Sequence, residues 1–81
     1  MDADTIRNVV LETLRGIAPE VEASTLRADQ PLREQVDLDS MDWLNFLVGL
    51  HQRLHVDIPE SDYRRLTTVD RLVSYLADKA A

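Results

Sequence analysis

The chain contains no cysteine. That excludes disulfides, thiolate metal sites and a cysteine nucleophile, and it agrees with a cytoplasmic location. Basic residues are also scarce, with nine Lys and Arg against fifteen Asp and Glu, a net charge of −6. The deficit is uneven: residues 1–42 hold ten acids and four arginines, while residues 43–81 hold five acids and five bases. A field of that sign repels nucleic acid and anionic membranes and favours basic protein surfaces. Long apolar runs are missing too, and none approaches the roughly 20 residues that span a bilayer. The opening stretch MDADTIRN carries two acids where a secretory signal carries basic residues, so a soluble, unprocessed protein is expected.

What remains is a short, helix-patterned chain. Its 81 residues predict one domain over 1–81, with no room for a second core. A chain of this size buries only about 60% of its unfolded surface. Without covalent staples, it depends on well-packed helices. From Asp4 to Ile17 the apolar residues Ile6, Val9, Val10, Leu14 and Ile17 recur at three and four, which predicts a helix with one buried face. Gly16 and Pro19 mark its exit. Residues 18–37 show no sustained periodicity and read as a long connection anchored by Val21, Leu26 and Leu32.

The second helix is predicted over Ser40–Leu54, with Asp39 as N-cap and Asp42 adding negative charge to the first turn. Met41, Leu44, Leu47, Val48 and Leu54 trace an apolar stripe that Trp43, Phe46 and Leu50 widen. A helix so apolar all round is either central to its bundle or shows part of its surface to a partner. Pro59 suits the start of a short helical turn over 59–64. A last helix, capped by Thr67 or Thr68, buries Val69, Leu72, Val73 and Leu76. Nothing alternates as a strand does. The expected fold is all-α: a four-helix bundle of three longer helices and a short third one, with a long first loop. Its predicted core is Ile6, Val10, Leu14, Leu44, Leu47, Leu54, Val69, Leu72, Val73 and Leu76, and a buried Leu47 cut back to Ala costs about 2–5 kcal/mol.

The helix order, the long first loop, VDLDSM at 36–41 and VDIPESDYRRLTTVDRLVSYL at 56–76 together resemble an acyl carrier protein. Asp-Ser before a large aliphatic residue is a weak motif by itself. It becomes strong with "IP" and "TTV" at that family's spacing downstream. The resemblance covers about three quarters of the chain and is weakest over residues 18–33. It implies that Ser40 carries 4′-phosphopantetheine, attached from coenzyme A by a phosphopantetheinyl transferase. It also implies a thiol at the arm's end that holds an acyl group as a thioester, with acyl-loading and acyl-processing enzymes as partners. The protein itself is then a monomeric carrier without catalytic residues, not an enzyme. The resemblance further implies that Asp39 and Asp42 meet basic patches on partners, and that Met41 and Val48 are apolar contact positions. Both apolar residues also read as plain core.

The chain departs from fatty-acid carriers at several places. Asp37 stands where glycine is common. Asn45, His51, Gln52, Arg53, Arg64 and Arg65 replace a strongly acidic surface, which points to a specialised lipid or secondary-metabolite pathway. Trp43 and Phe46 either line a pocket for an acyl chain or complete the core, and Gly49 either allows a close helix approach or leaves room for that chain.

Other constellations are weaker. A serine hydrolase lacks a base beside Ser40, since His51 and His55 lie three and four turns along the helix. Those two histidines with Asp57 make only half a zinc site, and a structural zinc wants four ligands, so no metal is expected. DLDSMD fails as a calcium loop because Met41 stands where an oxygen ligand is needed. A peptidyl or aminoacyl carrier, and an unmodified helical interaction module in which Ser40 merely begins a helix, remain open alternatives.

Overall fold

A computed structural model describes residues 1–80. Three helices supply most of the core: α1 (Ala3–Ile17), α3 (Ser40–Leu54) and α4 (Val69–Ala80). A single turn, α2 (Leu32–Gln35), and two 3₁₀ segments, η1 (Ala23–Thr25) and η2 (Glu60–Arg65), punctuate the connections. This is the expected all-helical bundle, with the short third helix wound as 3₁₀ and Pro59 preceding its first residue.

Each long helix begins where a side chain can satisfy its first free N–H groups. Asp2 Oδ1 accepts from Thr5 N–H at 2.8 Å, which holds the Asp2 carboxyl below the usual carboxylate value. Thr68 Oγ1 accepts from Arg71 N–H at 3.0 Å, so Thr68 and not Thr67 starts α4. The end of α3 is less ordinary. His55 closes it in the left-handed region at φ 53°, with its N–H donating to His51 O at 2.9 Å. Glycine usually takes this position, and histidine is among the side chains that tolerate it.

Helix α1 packs on both α3 and α4, and its Ile6, Val10 and Leu14 are fully buried. They meet Val69, Leu72, Val73 and Leu76 of α4 in one cluster with Phe46, Leu47, Leu50 and Leu54 of α3. Val9 and Ile17, placed on the buried face by spacing, lie partly buried at its edge. Gly49 marks a close crossing: a Cβ there would stand 2.8 Å from Thr13 Cγ2. Thr13 cannot easily turn away, because its hydroxyl donates to Val9 O at 2.7 Å. Of the two roles considered for Gly49, this is the close helix approach.

The α3 stripe read from spacing is corrected. Leu44, predicted as core, is 40% exposed, and Val48, also read as core, is 41% exposed. On a helix of 3.6 residues per turn, Phe46, Leu50 and Leu54 recur at four and share a side with Leu47 and Trp43. Met41, Leu44 and Val48 lie nearly half a turn away. With apolar residues on both sides, the larger buried area belongs to the side holding Phe46, and that side turns inward.

The long connection is a tied strap. Val21 and Leu32 anchor it in the core as expected, Leu26 lies partly buried, and Val36 and Leu38 are further anchors. Gln35 clamps its midpoint, accepting from Arg27 N–H at 2.6 Å and donating to Arg27 O at 2.8 Å and Gln30 O at 3.1 Å. Leu32 N–H donates to Thr67 O at 2.8 Å and Asp70 N–H donates to Ala28 O at 3.0 Å, fastening the strap to the start of α4. These bonds answer where the backbone groups of a loop without periodicity find partners.

Candidate functional site

Ser40 is the first residue of α3, and it is exposed. It does not cap the helix. That task belongs to Asp39, whose extended backbone (φ −77°, ψ 179°) lets Oδ1 accept from Asp42 N–H at 2.8 Å while its carbonyl accepts from Trp43 N–H at 2.9 Å. The serine hydroxyl is thus left facing solvent at the positive end of a 15-residue helix. The strap reaches this point through Leu38, whose buried side chain fixes where the helix begins. Asp37 follows the ordinary backbone of an L-residue, so the missing glycine costs the turn nothing.

The other predicted site residues divide by exposure. Asp39 is exposed at the helix start, and Asp42 is half-buried. Met41 is 63% exposed and continues through Leu44 and Val48 as an outward apolar stripe at i, i+3 and i+7. Met41 and Val48 are therefore surface residues, and Leu44 joins them. Spacing contained that signal, but it was absorbed into the presumed core. The two aromatics take different roles: Phe46 is fully buried, while Trp43 is partly buried with its ring tilted 41° to Phe46 at 5.4 Å between centroids.

Beside Ser40, one turn along α3, Trp43 forms a wall of a cavity of about 360 Å³. Pro31, Arg33, Tyr63, Arg64 and Thr67 complete it. The opposite wall stands on η2, which is held to α4 by Tyr75: its hydroxyl donates to Asp62 Oδ2 at 2.6 Å. Partial burial, then that bond to a carboxylate, push the Tyr75 hydroxyl up to about 12, so it remains a donor at neutral pH. Arg33 and Tyr63 were not identified from the sequence, since α2 is one turn long and the groove exists only once strap and η2 meet.

His51 and His55 do not converge. His51 Nδ1 lies 2.8 Å from Val56 O, which makes that nitrogen an N–H donor, and His55 is committed to the helix end. Among the described residues no group of three or more His, Asp or Glu is placed to hold a metal, and none of the helices is long and apolar enough to cross a membrane.

These features agree with the comparisons to known proteins. The profile of the family described as "Phosphopantetheine attachment site" matches residues 4–76. An acyl carrier protein of Campylobacter jejuni is 26% identical over 73 residues, covering 90% of this chain and 88% of the relative. One from Picosynechococcus is 25% identical over 76 residues, covering 94% and 88%. A solution structure of a presumed acyl carrier protein from Anaplasma phagocytophilum superposes with a TM-score of 0.87 at 26% identity, over 100% of this chain and 94% of that one.

Proposed function

The chain belongs to the acyl carrier protein family, built around a phosphopantetheine attachment site, and on that premise we propose that Ser40 is the attachment residue. Proteins of this family are carriers and not enzymes, and the group they carry is covalent 4′-phosphopantetheine. The residues at the start of α3 suit it. The hydroxyl is free of capping duty, it faces solvent, and the helix end favours an anionic substituent. In the transfer the Ser40 oxygen bonds to phosphorus, the pyrophosphate of coenzyme A breaks, the nucleotide leaves, and the transferase takes the hydroxyl proton. Once bound, the group supplies a thiol that holds an acyl chain as a thioester, which a chain without cysteine cannot otherwise do.

The single observation that carries this reading is that capping falls to Asp39 and leaves Ser40 exposed. A serine standing at the cap position would accept that bond itself. The test is incubation with coenzyme A and a broad-specificity phosphopantetheinyl transferase, followed by intact mass and peptide mapping. One adduct, on Ser40, is expected. A folded sample that gains no mass overturns the reading.

Asp39 serves docking by charge, Asp42 reinforces it from a half-buried position, and Met41, Leu44 and Val48 form the apolar contact to the transferase and to acyl-loading and acyl-processing enzymes. Asn45, His51, Gln52, Arg53, Arg64 and Arg65 are all exposed, so the docking face beyond Asp42 carries no strong negative field. This supports a carrier of a specialised lipid or secondary-metabolite pathway. A generic fatty-acid synthase transacylase should acylate the loaded protein much more slowly than a dedicated partner, and comparable rates would contradict the assignment.

A further inference from the structure

The short segment η2 is tied to the bundle at few points. Val56 before it and Leu66 after it are buried, but none of its own side chains is, and Tyr63 alone among them packs half-buried against the core. Open space borders it on both sides. Toward α3 lie the groove of about 360 Å³ between Tyr63 and Trp43 and a smaller one of about 190 Å³ between Tyr63 and His51. Toward α4 a cavity of about 320 Å³ lies among Arg65 of η2 and Arg71, Ser74 and Tyr75 of the last helix. A segment with so little buried surface belongs to the least stable part of a fold. Across that last gap runs one polar tie, the Tyr75 hydroxyl donating to Asp62 Oδ2 at 2.6 Å. Among the described residues it is the one side-chain hydrogen bond from η2 to another helix. Cations stand at both of its ends: Arg65 Nη1 is 3.9 Å from Asp62 Oδ1, and Lys79 Nζ is 5.4 Å from the centroid of the Tyr75 ring. Arg65 favours the ionised carboxylate, and a hydroxyl bonded to a carboxylate is held roughly twice as strongly as one bonded to a neutral acceptor.

We propose that this bond is a latch: through it α4 holds η2 against the bundle, and its release lets η2 turn outward about its two buried anchors and widens the groove beside Ser40. Tyr75 and Asp62 are positioning residues in this scheme. Neither borders the groove, yet Asp62 directly precedes Tyr63, which does. The last helix, through one hydroxyl, thus sets the width of a surface at the start of α3. The bearing of the latch on the carrier role rests on Ser40 being the attachment residue; the latch itself does not.

The test uses the protein without its arm. Wild type, Tyr75→Phe, Asp62→Asn, Asp62→Ala and the double variant Asp62→Ala/Tyr75→Phe are labelled with ¹⁵N, and far-UV circular dichroism confirms their helices. Amide exchange is read at Asp62 and Leu66, whose N–H groups close η2 onto Pro59 O and Tyr63 O, with the amides of α1 as the reference. Acrylamide quenching of Trp43, the only tryptophan in the chain, reads the far wall of the groove. Tyr75→Phe is expected to speed exchange at Asp62 and Leu66 roughly tenfold relative to α1 and to raise quenching. Asp62→Asn keeps an acceptor for the hydroxyl and should show a smaller change. Asp62→Ala should match Tyr75→Phe, and the double variant should be no worse than either, because both remove the same bond. Wild-type amides at Asp62 and Leu66 that exchange as in an unfolded chain overturn the proposal, as do rates unchanged by Tyr75→Phe. Exchange that quickens equally in α1 reduces Tyr75 to a contributor to overall stability, and additive effects in the double variant show two side chains acting apart. Faster exchange with unaltered Trp43 quenching overturns the control of the groove. Failure of Ser40 to accept an arm is seen only in the loading experiment and alters none of these readings.

Discussion

Ser40→Ala is expected to abolish loading completely while leaving the melting curve almost where it was. The two effects separate because the proposed role of the residue is chemical and it holds little structure. Asp39 accepts the Asp42 N–H, and the substitution leaves that bond in place. Ser40 is exposed, and surface changes away from special features stay within about 0.5 kcal/mol. Were Ser40 the cap, the same substitution would cost about 0.5–2 kcal/mol. Intact mass after incubation with transferase and coenzyme A measures the first effect; thermal denaturation measures the second. An adduct on the alanine variant would place the attachment elsewhere, and a large loss of stability would return Ser40 to a structural role.

Phe46→Ala should be the most damaging single truncation in α3. The ring is fully buried on the side of the helix that turns inward. Removing it forfeits the transfer energy of the ring and leaves a cavity, together about 3–5 kcal/mol. At roughly 0.05–0.15 kcal/mol per residue, a domain of 81 residues holds about 4–12 kcal/mol in all, so the loss is a large share of it. The aromatic contact at 5.4 Å from Trp43 disappears as well, so emission should move to the red even where the variant remains folded. Urea denaturation against the wild type decides the matter. Leu44→Ala, on the outward stripe, is the internal control and should cost far less.

Features dictated by neighbouring residues were readable from the sequence. The bounds of α3 fall at Ser40 and Leu54 as predicted, because Asp39 supplies a cap and the apolar run is unbroken between them. α1 begins one residue before its expected start, and the downstream short helix lies one residue later than expected. The strap yielded its anchors Val21 and Leu32 but not η1 or α2. Helices of three and four residues complete no repeat, and the Gln35 clamp depends on folding back to Arg27. The inward side of α3 was misjudged for a different reason: apolar residues ring the helix, so periodicity could not choose a face, and packing against α1 and α4 made the choice. The proposed attachment serine, Ser40, was legible as a motif. The groove was not, because Arg33, Trp43 and Tyr63 come from three separate segments that only the finished fold brings together.

The strap has a kinetic consequence. Its bonds from Leu32 to Thr67 and from Asp70 to Ala28 link residues 35 and 42 positions apart in the chain. Such closures are costly in chain entropy before they return any stabilisation, so they belong to the late, slow part of assembly and not to the first helical collapse. The start of α4 and the span leading to Ser40 are therefore expected to lock in the same event, and under the proposed assignment a chain whose last helix has not yet docked is a poor acceptor for a transferase.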